Sequence, residues 1–244
     1  MKWFNLLILT SLVCSCNKPE QRACFKKSGE LSIRTYDFGS FNQLHLKEHL
    51  SYKLVQDSTN KVIVRGGNNL LNFVEVMGEN GLLTIENKNR CNYLRSYEIP
   101  EVEIHYTKLI NILFEGTELL YNEDTLITDY LTLTLRDGAG HMELNVQAID
   151  INAINTHGWG RLTLKGETQT LRGNLMGDGK FDFRQMSASN HLKLITSSST
   201  DQWVKADGIP LNVELNGIGN VYYYGLPSVI NKVQYGKGKL IKAQ

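Results

Sequence analysis

Apolar and polar residues alternate along most of the chain, with short glycine-containing breaks at intervals. In the segment HMELNV, Met142, Leu144 and Val146 share one parity, whereas His141 and Glu143 share the other. Because successive side chains of a β-strand point to opposite faces, this pattern predicts strands with one buried face. No long segment shows the 3.6-residue period of an amphipathic helix. The sequence therefore predicts an all-β protein.

The glycine-containing breaks recur with a period near twenty residues. The first glycines of the Gly-x-Gly pairs are separated by 20, 19, 40 and 19 residues, and they are Gly138, Gly158, Gly177, Gly217 and Gly236. Halfway through the doubled interval, Ser197 and Ser199 are expected to replace the glycines. A register that starts at Ser198 fits Leu192 and Leu194 better, so the position of this turn stays open by one residue.

Such a period is typical of repeat architectures, in which each unit buries its apolar face against its neighbours. Twenty residues suit one coil of a parallel β-solenoid better than a propeller blade, which needs about forty. The regular coils are expected from about residue 116, with a less regular β-stack before them. In that first half, Asn80 and Gly81 predict a turn between two strands.

The first residues resemble a lipoprotein signal. An apolar stretch runs to Val13, and VCSC places that aliphatic residue three positions before Cys16. We expect a signal peptide over residues 1–15, lipid attachment at Cys16, a tether over 16–30 and one domain over 31–240. Secretion after cleavage elsewhere is the alternative. A lipid on Cys16 implies a membrane partner and a cell-envelope location, facing the periplasm or the surface.

Two further cysteines, Cys24 and Cys91, are expected to form a disulfide, because an exported protein resides where disulfides persist. The alternative is two unrelated thiols. The charge balance of 26 basic and 25 acidic residues offers no basic stripe for a nucleic acid.

The signal, the segments YDFGSFNQLHL, KVIVRGGNNLL and CNYLRSYEIPEVEIHY, and the recurrent Gly-x-Gly units together resemble the head GIN domain family of auto-transporter adhesin-like proteins. The resemblance covers about residues 31–240 and implies a β-solenoid in the cell envelope, without an established activity. The family's unit is typically Gly-Ser-Gly-Asp. This chain departs from it by placing Arg161 and Lys180 at Asp positions, which puts any acidic ligand ladder in doubt.

The sequence contains few combinations of residues that are typical of a metal site or a catalytic site. Calcium needs six to eight oxygen ligands, which the basic residues of the outward column do not supply, so no cofactor is expected. On one strand His45 and His49 would stand too far apart to share a zinc ion. Glu143 and Asp182 would face outward two coils apart, as a carbohydrate-cleaving pair would require, yet basic neighbours indicate an ordinary solvated surface.

Exposed aromatic rings are the feature most typical of binding. Trp159 is predicted in a turn, and Tyr222 and Tyr224 are predicted to point outward, where rings could contact a glycan or a protein. Lysines of the last unit, Lys237, Lys239 and Lys242, are expected to protect a strand edge from aggregation. The sequence thus predicts a non-catalytic binding, adhesion or structural module, and the alternative is a carbohydrate-active enzyme on the same scaffold.

Overall fold

The computed structural model of the protein describes residues 27–89 and 98–243. It is 62% strand and 2% helical, arranged as a β-solenoid of about seven turns. Within the described part of the chain the one helix, α1, is the four-residue segment Asn68–Leu71. The prediction of an all-β solenoid is confirmed.

Nine short strands precede or begin the stack. They are β1 (Leu31–Asp37), β2 (Gln43–Leu46), β3 (Ser51–Gln56), β4 (Lys61–Gly67), β5 (Val74–Glu79), β6 (Leu82–Asn87), β7 (Glu101–Tyr106), β8 (Asn111–Phe114) and β9 (Leu119–Asn122). The regular coils follow with β10 (Leu126–Leu135), β11 (His141–Asn155), β12 (Arg161–Leu175), β13 (Lys180–Thr196), β14 (Gln202–Lys205), β15 (Pro210–Leu215), β16 (Val221–Tyr224), β17 (Val229–Gln234) and β18 (Leu240–Lys242).

The coils pair into two parallel ladders, and β11, β12 and β13 bend at a corner to contribute to both. Ladder A contains β7, β3, β9, the first halves of these long strands, β14, β16 and β18. Ladder B contains β6, β2, β8, the second halves of β10 to β13, β15 and β17. Equivalent residues of neighbouring coils lie side by side, as His141, Arg161 and Lys180 do in ladder A.

Antiparallel strands terminate the N-terminal end of the stack. In ladder A, β4 pairs antiparallel with β7, and β1 pairs antiparallel with β4. In ladder B, β5 pairs antiparallel with β6 through the predicted turn, where Asn80 and Gly81 have φ values of 50° and 79°. Positive φ at both central residues is what a tight hairpin turn requires.

The core follows the alternation read from the sequence. All the residues predicted to point inward in the first halves of the coils are buried or packed against the core: Met142, Leu144, Leu162, Leu164, Phe181, Phe183, Val221 and Tyr223. Leu211, Val213 and Leu215 fill the equivalent column of ladder B. Each coil therefore buries its apolar face against the coils above and below it.

Strand β13 is longer than its neighbours because its pairing with β12 contains two register shifts. These β-bulges move the following turn, so that Ser198 and Thr200, rather than Ser197 and Ser199, stand where the glycines of the next turn stand. Ser198 is fully buried and donates its hydroxyl hydrogen bond to the Gly179 carbonyl. The register that starts at Ser198 is the correct one, and the assignment of Ser197 and Ser199 is wrong.

Candidate functional site

The paired glycines bring the backbones of successive turns into contact. A Cβ atom on Gly219 would collide with the carbonyl of Thr200, and one on Gly217 would collide with the carbonyl of Ser198. Among the paired glycines only Gly158 has a positive φ, of 89°. Close approach of successive backbones is therefore the common reason for these glycines, and a positive φ is a requirement at Gly158 alone among them. They shape the corner of each coil and present no concave loop for a ligand.

The outward face of ladder A carries the most distinctive cluster of side chains. The rings of Trp203 on β14 and Tyr222 on β16 are stacked, with centroids 5.8 Å apart and planes 13° apart. On the opposite side of the indole, the Nζ of Lys180 lies 3.8 Å from the ring centroid. Lys180, Trp203 and Tyr222 thus form a column across three consecutive coils, in which Lys180 covers one face of the half-buried indole and Tyr222 covers the other.

Arg184 and Tyr224 extend this column along the strands. The guanidinium of Arg184 lies 5.9 Å from the indole centroid and donates two hydrogen bonds to Asp182, of 2.5 and 2.8 Å. The bonds to Asp182 raise the pKa of Arg184, with a smaller contribution from the Tyr224 hydroxyl. We call Lys180, Arg184, Trp203, Tyr222 and Tyr224 the Trp203 patch.

The surroundings of the patch are positively charged. Partial burial lowers the pKa of Lys180, the charges of Arg161 and Arg184 lower it further, and the opposite charges of Asp182 and Asp201 offset only part of this. Within the described part of the chain, neither Arg161 nor the nearby Lys205 forms an ion pair with a carboxylate. Like charges gathered around a half-buried lysine favour the approach of an anion.

The structure places the three aromatic residues predicted as ligand contacts in two locations. Tyr222 and Tyr224 are half-buried members of the Trp203 patch. Trp159 is 65% exposed in the turn before β12, three coils from β16, or about 14 Å at the usual strand spacing. The predicted lipid site Cys16 and the predicted disulfide partners Cys24 and Cys91 lie outside the described residues.

Sequence reasoning missed Trp203, which is the centre of the patch. Trp203 stands nineteen positions before Tyr222 and pairs with it in the ladder. The pattern of glycine pairs fails at this coil because Ser198 and Thr200 replace the glycines, so the strand that follows was not aligned with the others. The nineteen-residue spacing between the two aromatic residues is the signal that could have identified it.

The carboxylates considered for carbohydrate cleavage, Glu143 and Asp182, do share an outward column, with Thr163 between them. Glu143 accepts a hydrogen bond of 2.5 Å from Lys165, which lowers its pKa. Burial raises the pKa of Asp182, but the bonds from Arg184 outweigh it, so this pKa is also lowered. A glycosidase needs one carboxyl group whose pKa is raised, and neither residue meets that requirement.

His45 and His49 each contact a carboxylate and do not form a ligand set. His45 lies on β2, whereas His49 lies in the following turn with a φ of 62°, so their expected placement on one strand is wrong. They contact different carboxylates, Glu115 at 2.6 Å and Glu118 at 3.5 Å. Over residues 27–89 and 98–243, no three His, Cys, Asp or Glu side chains converge as metal ligands.

A second cluster of charges lies near the N-terminal end of ladder A, where His105 is held between two carboxylates. Its Nδ1 lies 2.5 Å from Asp57, and its Nε2 lies 2.8 Å from Glu103. Burial raises the pKa of Asp57, but hydrogen bonds with His105 and Thr59 lower it to about 2. Each ring nitrogen of His105 thus has a carboxylate partner within the fold.

Among solved structures, three proteins from Bacteroides and Parabacteroides species share the fold. Two are described as "putative adhesin": one from Bacteroides fragilis, with a TM-score of 0.78 and 19% identity, covers 88% of this chain and 97% of its own. The other, from Parabacteroides merdae, has a TM-score of 0.64 and 16% identity over 88% and 97% of the two chains. A "putative lipid binding protein" from Parabacteroides distasonis has a TM-score of 0.64 and 15% identity over 88% and 98%.

No curated protein matches the sequence. Nor does any helix of the described residues have the length and apolar character needed to cross a membrane. The family described as "Putative auto-transporter adhesin, head GIN domain" matches residues 40–227, which is most of the chain and nearly all of the solenoid. The resemblance seen in the sequence is confirmed, and the chain belongs to the head GIN domain family.

Proposed function

We propose that the protein is a lipid-anchored, non-catalytic adhesion module of the cell envelope, and that the Trp203 patch binds an acidic glycan. The adhesin description of the family supports the binding role and the envelope location. The signal-like first residues, ending at Cys16, support the anchor. The column of Lys180, Trp203 and Tyr222 is the observation that carries the choice of binding surface.

The geometry of the column favours an oxygen-rich anion over a neutral sugar ring. Neutral sugars usually stack on an open aromatic face, but Lys180 and Tyr222 cover both faces of the Trp203 indole. The edges of the half-buried indole carry the positive part of the aromatic quadrupole. Together with Lys180, Arg161 and Lys205 they form a surface of positive potential, to which the carboxylate and hydroxyl oxygens of an acidic sugar are complementary.

The flat, rigid surface suits binding without turnover. Arg184 and Asp182 neutralise each other through two hydrogen bonds, so the carboxylate of this patch is engaged rather than free to act as an acid or a base. The competing function is a carbohydrate-active enzyme on the same scaffold, against which the lowered pKa values of Glu143 and Asp182 argue. Product analysis separates the two.

The experiment is an array of acidic and neutral glycans probed with the soluble domain, followed by analysis of the bound glycans for cleavage. We expect retention of uronate- or sialate-containing glycans without cleavage. Trp203→Ala combined with Tyr222→Ala should reduce this binding at least tenfold, and Lys180→Ala should reduce it severalfold. Cleaved products would support the enzyme, and full binding by the Trp203 and Tyr222 double variant would refute the patch.

Two controls match these variants. Trp159→Ala removes an exposed ring outside the patch, and Lys193→Ala removes an exposed lysine of ladder B. Both should retain glycan binding and the same thermal midpoint. Anchoring is tested separately in cells by incorporation of labelled palmitate, which Cys16→Ala should abolish. Continued labelling of that variant would refute attachment at Cys16.

A further inference from the structure

The C-terminal end of the solenoid presents an open strand edge. All six residues of β17 are exposed, although the equivalent strand β15 alternates between buried and half-exposed residues. Along one edge β17 pairs with β15, and no described residue pairs with its other edge. Strand β18 likewise pairs with β16 alone. The row of N–H and C=O groups on the outer edge of β17 therefore lacks a protein partner within residues 27–89 and 98–243.

The same end exposes an unusual amount of apolar surface. Leu226 is 68% exposed and Tyr235 is 78% exposed, while Val229, Ile230 and Val233 are between 41% and 46% exposed. Proteins commonly protect a strand edge of this kind or use it to bind another chain. The five side chains lie on β17 or within three residues of it, so they accompany the open edge itself.

The charge of this end has one sign. Residues 215–244 contain no aspartate or glutamate, and their charged residues are Lys232, Lys237, Lys239 and Lys242. Two of these lysines stand at positions whose neighbours in the previous coil belong to the core, since Lys232 pairs with Val213 and Lys242 pairs with Tyr223. The last coil thus carries exposed cations at two positions where the previous coil carries apolar side chains.

The open strand edge, the exposed apolar side chains and the lysines together favour one kind of binding partner over the others. A membrane would leave the unpaired backbone groups without hydrogen bonds, which is costly in lipid. A second copy of the chain docked through the same end would place its four lysines against these four, and the like charges would repel each other. An extended, acidic polypeptide satisfies the backbone groups, covers the apolar side chains and neutralises the lysines. We propose that the C-terminal end of the solenoid binds an extended acidic segment of a partner protein by strand addition to β17.

The pairing geometry indicates how to block such an addition without disturbing the fold. The amide of Tyr235 donates to Leu215, so the alternation of a parallel ladder directs the amides of Gln234 and Lys232 away from β15. Proline is tolerated on an edge strand where its missing N–H would have faced solvent. Lys232→Pro should therefore keep the pairing with β15 and remove one outward donor, while Lys232→Ala removes only the charge.

The test measures fluorescence anisotropy of a labelled ten-residue peptide of alternating glutamate and valine, titrated with the full mature chain. A peptide of alternating lysine and valine is its control. We expect saturable binding of the acidic peptide alone, weakened at least tenfold by Lys232→Pro and about threefold by Lys232→Ala. Should the proline variant lose its native thermal midpoint, Lys232→Glu replaces it, and should bind the lysine peptide in preference to the acidic one.

Three outcomes would overturn the proposal. The first is equal affinity of the acidic peptide for the wild type and a folded Lys232→Pro variant. The second is retention on vesicles of phosphatidylcholine and phosphatidylglycerol, lost with the Lys232 variants, when neither peptide binds. The third is a dimer in analytical ultracentrifugation that Lys232→Pro converts to a monomer. Because the Trp203 patch is unchanged in all of these variants, glycan binding is measured independently of the result.

Discussion

Asn155 occupies the inward position in its coil that Leu135 occupies one coil earlier, and each side chain lies beneath a glycine of a later turn. Leu135 Cδ2 lies 2.7 Å from the point where a Cβ on Gly160 would stand, and Asn155 Nδ2 lies 2.5 Å from the same point on Gly179. Asn155 is fully buried, and neither polar atom of its side chain has a partner among the described residues. The core therefore contains an amide whose polar atoms have no hydrogen-bond partner among the described residues.

Replacing this amide with an apolar side chain should stabilise the protein. Asn155→Leu removes the desolvation cost of two unpaired polar atoms, and we expect the free energy of unfolding to rise by about 1–3 kcal/mol. Urea denaturation followed by tryptophan fluorescence measures the change. Leu135→Asn is the matched control and should lower stability. A less stable Asn155→Leu variant would show that the amide is hydrogen-bonded after all, through an internal water.

The turn glycines should tolerate substitution only where the next backbone is distant. Gly219→Ala places a methyl group against the Thr200 carbonyl, and because backbone cannot rotate aside, we expect a loss of roughly 1–3 kcal/mol. Gly39→Ala is the control, since nothing lies within 4 Å of its added Cβ. Thermal unfolding of both variants gives the comparison. Equal midpoints would indicate that the turns are looser than the contact implies.

Gln202 supplies hydrogen bonds that the neighbouring backbone lacks. Its Oε1 accepts from the Phe181 amide at 2.6 Å, and its Nε2 donates to the Thr200 carbonyl at 2.8 Å. Gln202→Leu leaves the buried amide unpaired, and we expect stability to fall by about 1–3 kcal/mol. Gln185→Leu, at an exposed position of β13, should change it by less than about 0.5 kcal/mol. Amide hydrogen exchange at Phe181 provides a local readout, and unchanged protection there would contradict the assignment.

Lowering the pH should reduce the stability of the fold because the Asp57 carboxylate becomes protonated. Its pKa of about 2 lies below the ordinary aspartate value of about 3.9 in an unfolded chain. The carboxylate therefore stabilises the fold above about pH 4, and this contribution is lost as the pH falls toward 2. Asp57→Asn should be less stable than the wild type at pH 7, and the difference in thermal midpoint should shrink between pH 4 and pH 2.

The exposed Asp129, which pairs with Lys108 at 3.0 Å, provides the control for this pH series. Both of these side chains are 56% exposed, and exposed ion pairs contribute little to stability. Asp129→Asn should therefore follow the wild-type curve from pH 7 to pH 2. A constant gap between the wild type and Asp57→Asn over this range would contradict the lowered pKa of Asp57.

Much of the fold is predictable from the sequence because the same alternating pattern recurs in successive coils. Alternation around Met142, Leu162 and Phe181 identifies the buried column, and the spacing of the glycines identifies the coil length. The N-terminal strands are harder to predict. The antiparallel pairing of β4 with β7 depends on contacts between segments about forty residues apart, for which the local pattern contains no period.

The candidate site is less predictable than the fold. Tyr222 could be assigned to the outer face by parity, but its partner Trp203 follows a turn without glycines and a strand lengthened by two bulges. A period that slips by one or two residues does not reveal which side chains become neighbours. The contact of Lys180 with the indole depends on that same register, and so it emerges only from the three-dimensional arrangement.

The two ends of the described stack differ in kind, since antiparallel strands adjoin it at β1 and β5, whereas its last described strands, β17 and β18, keep the parallel pairing of the coils before them. A stack built in this way can gain coils on its C-terminal side while the antiparallel strands of its N-terminal side stay the same. Duplication of one coil would lengthen it by about 4.8 Å without altering the strands that begin it. Each inserted unit of about twenty residues would therefore increase the distance between the first and last strands by one coil spacing and leave the existing surfaces intact.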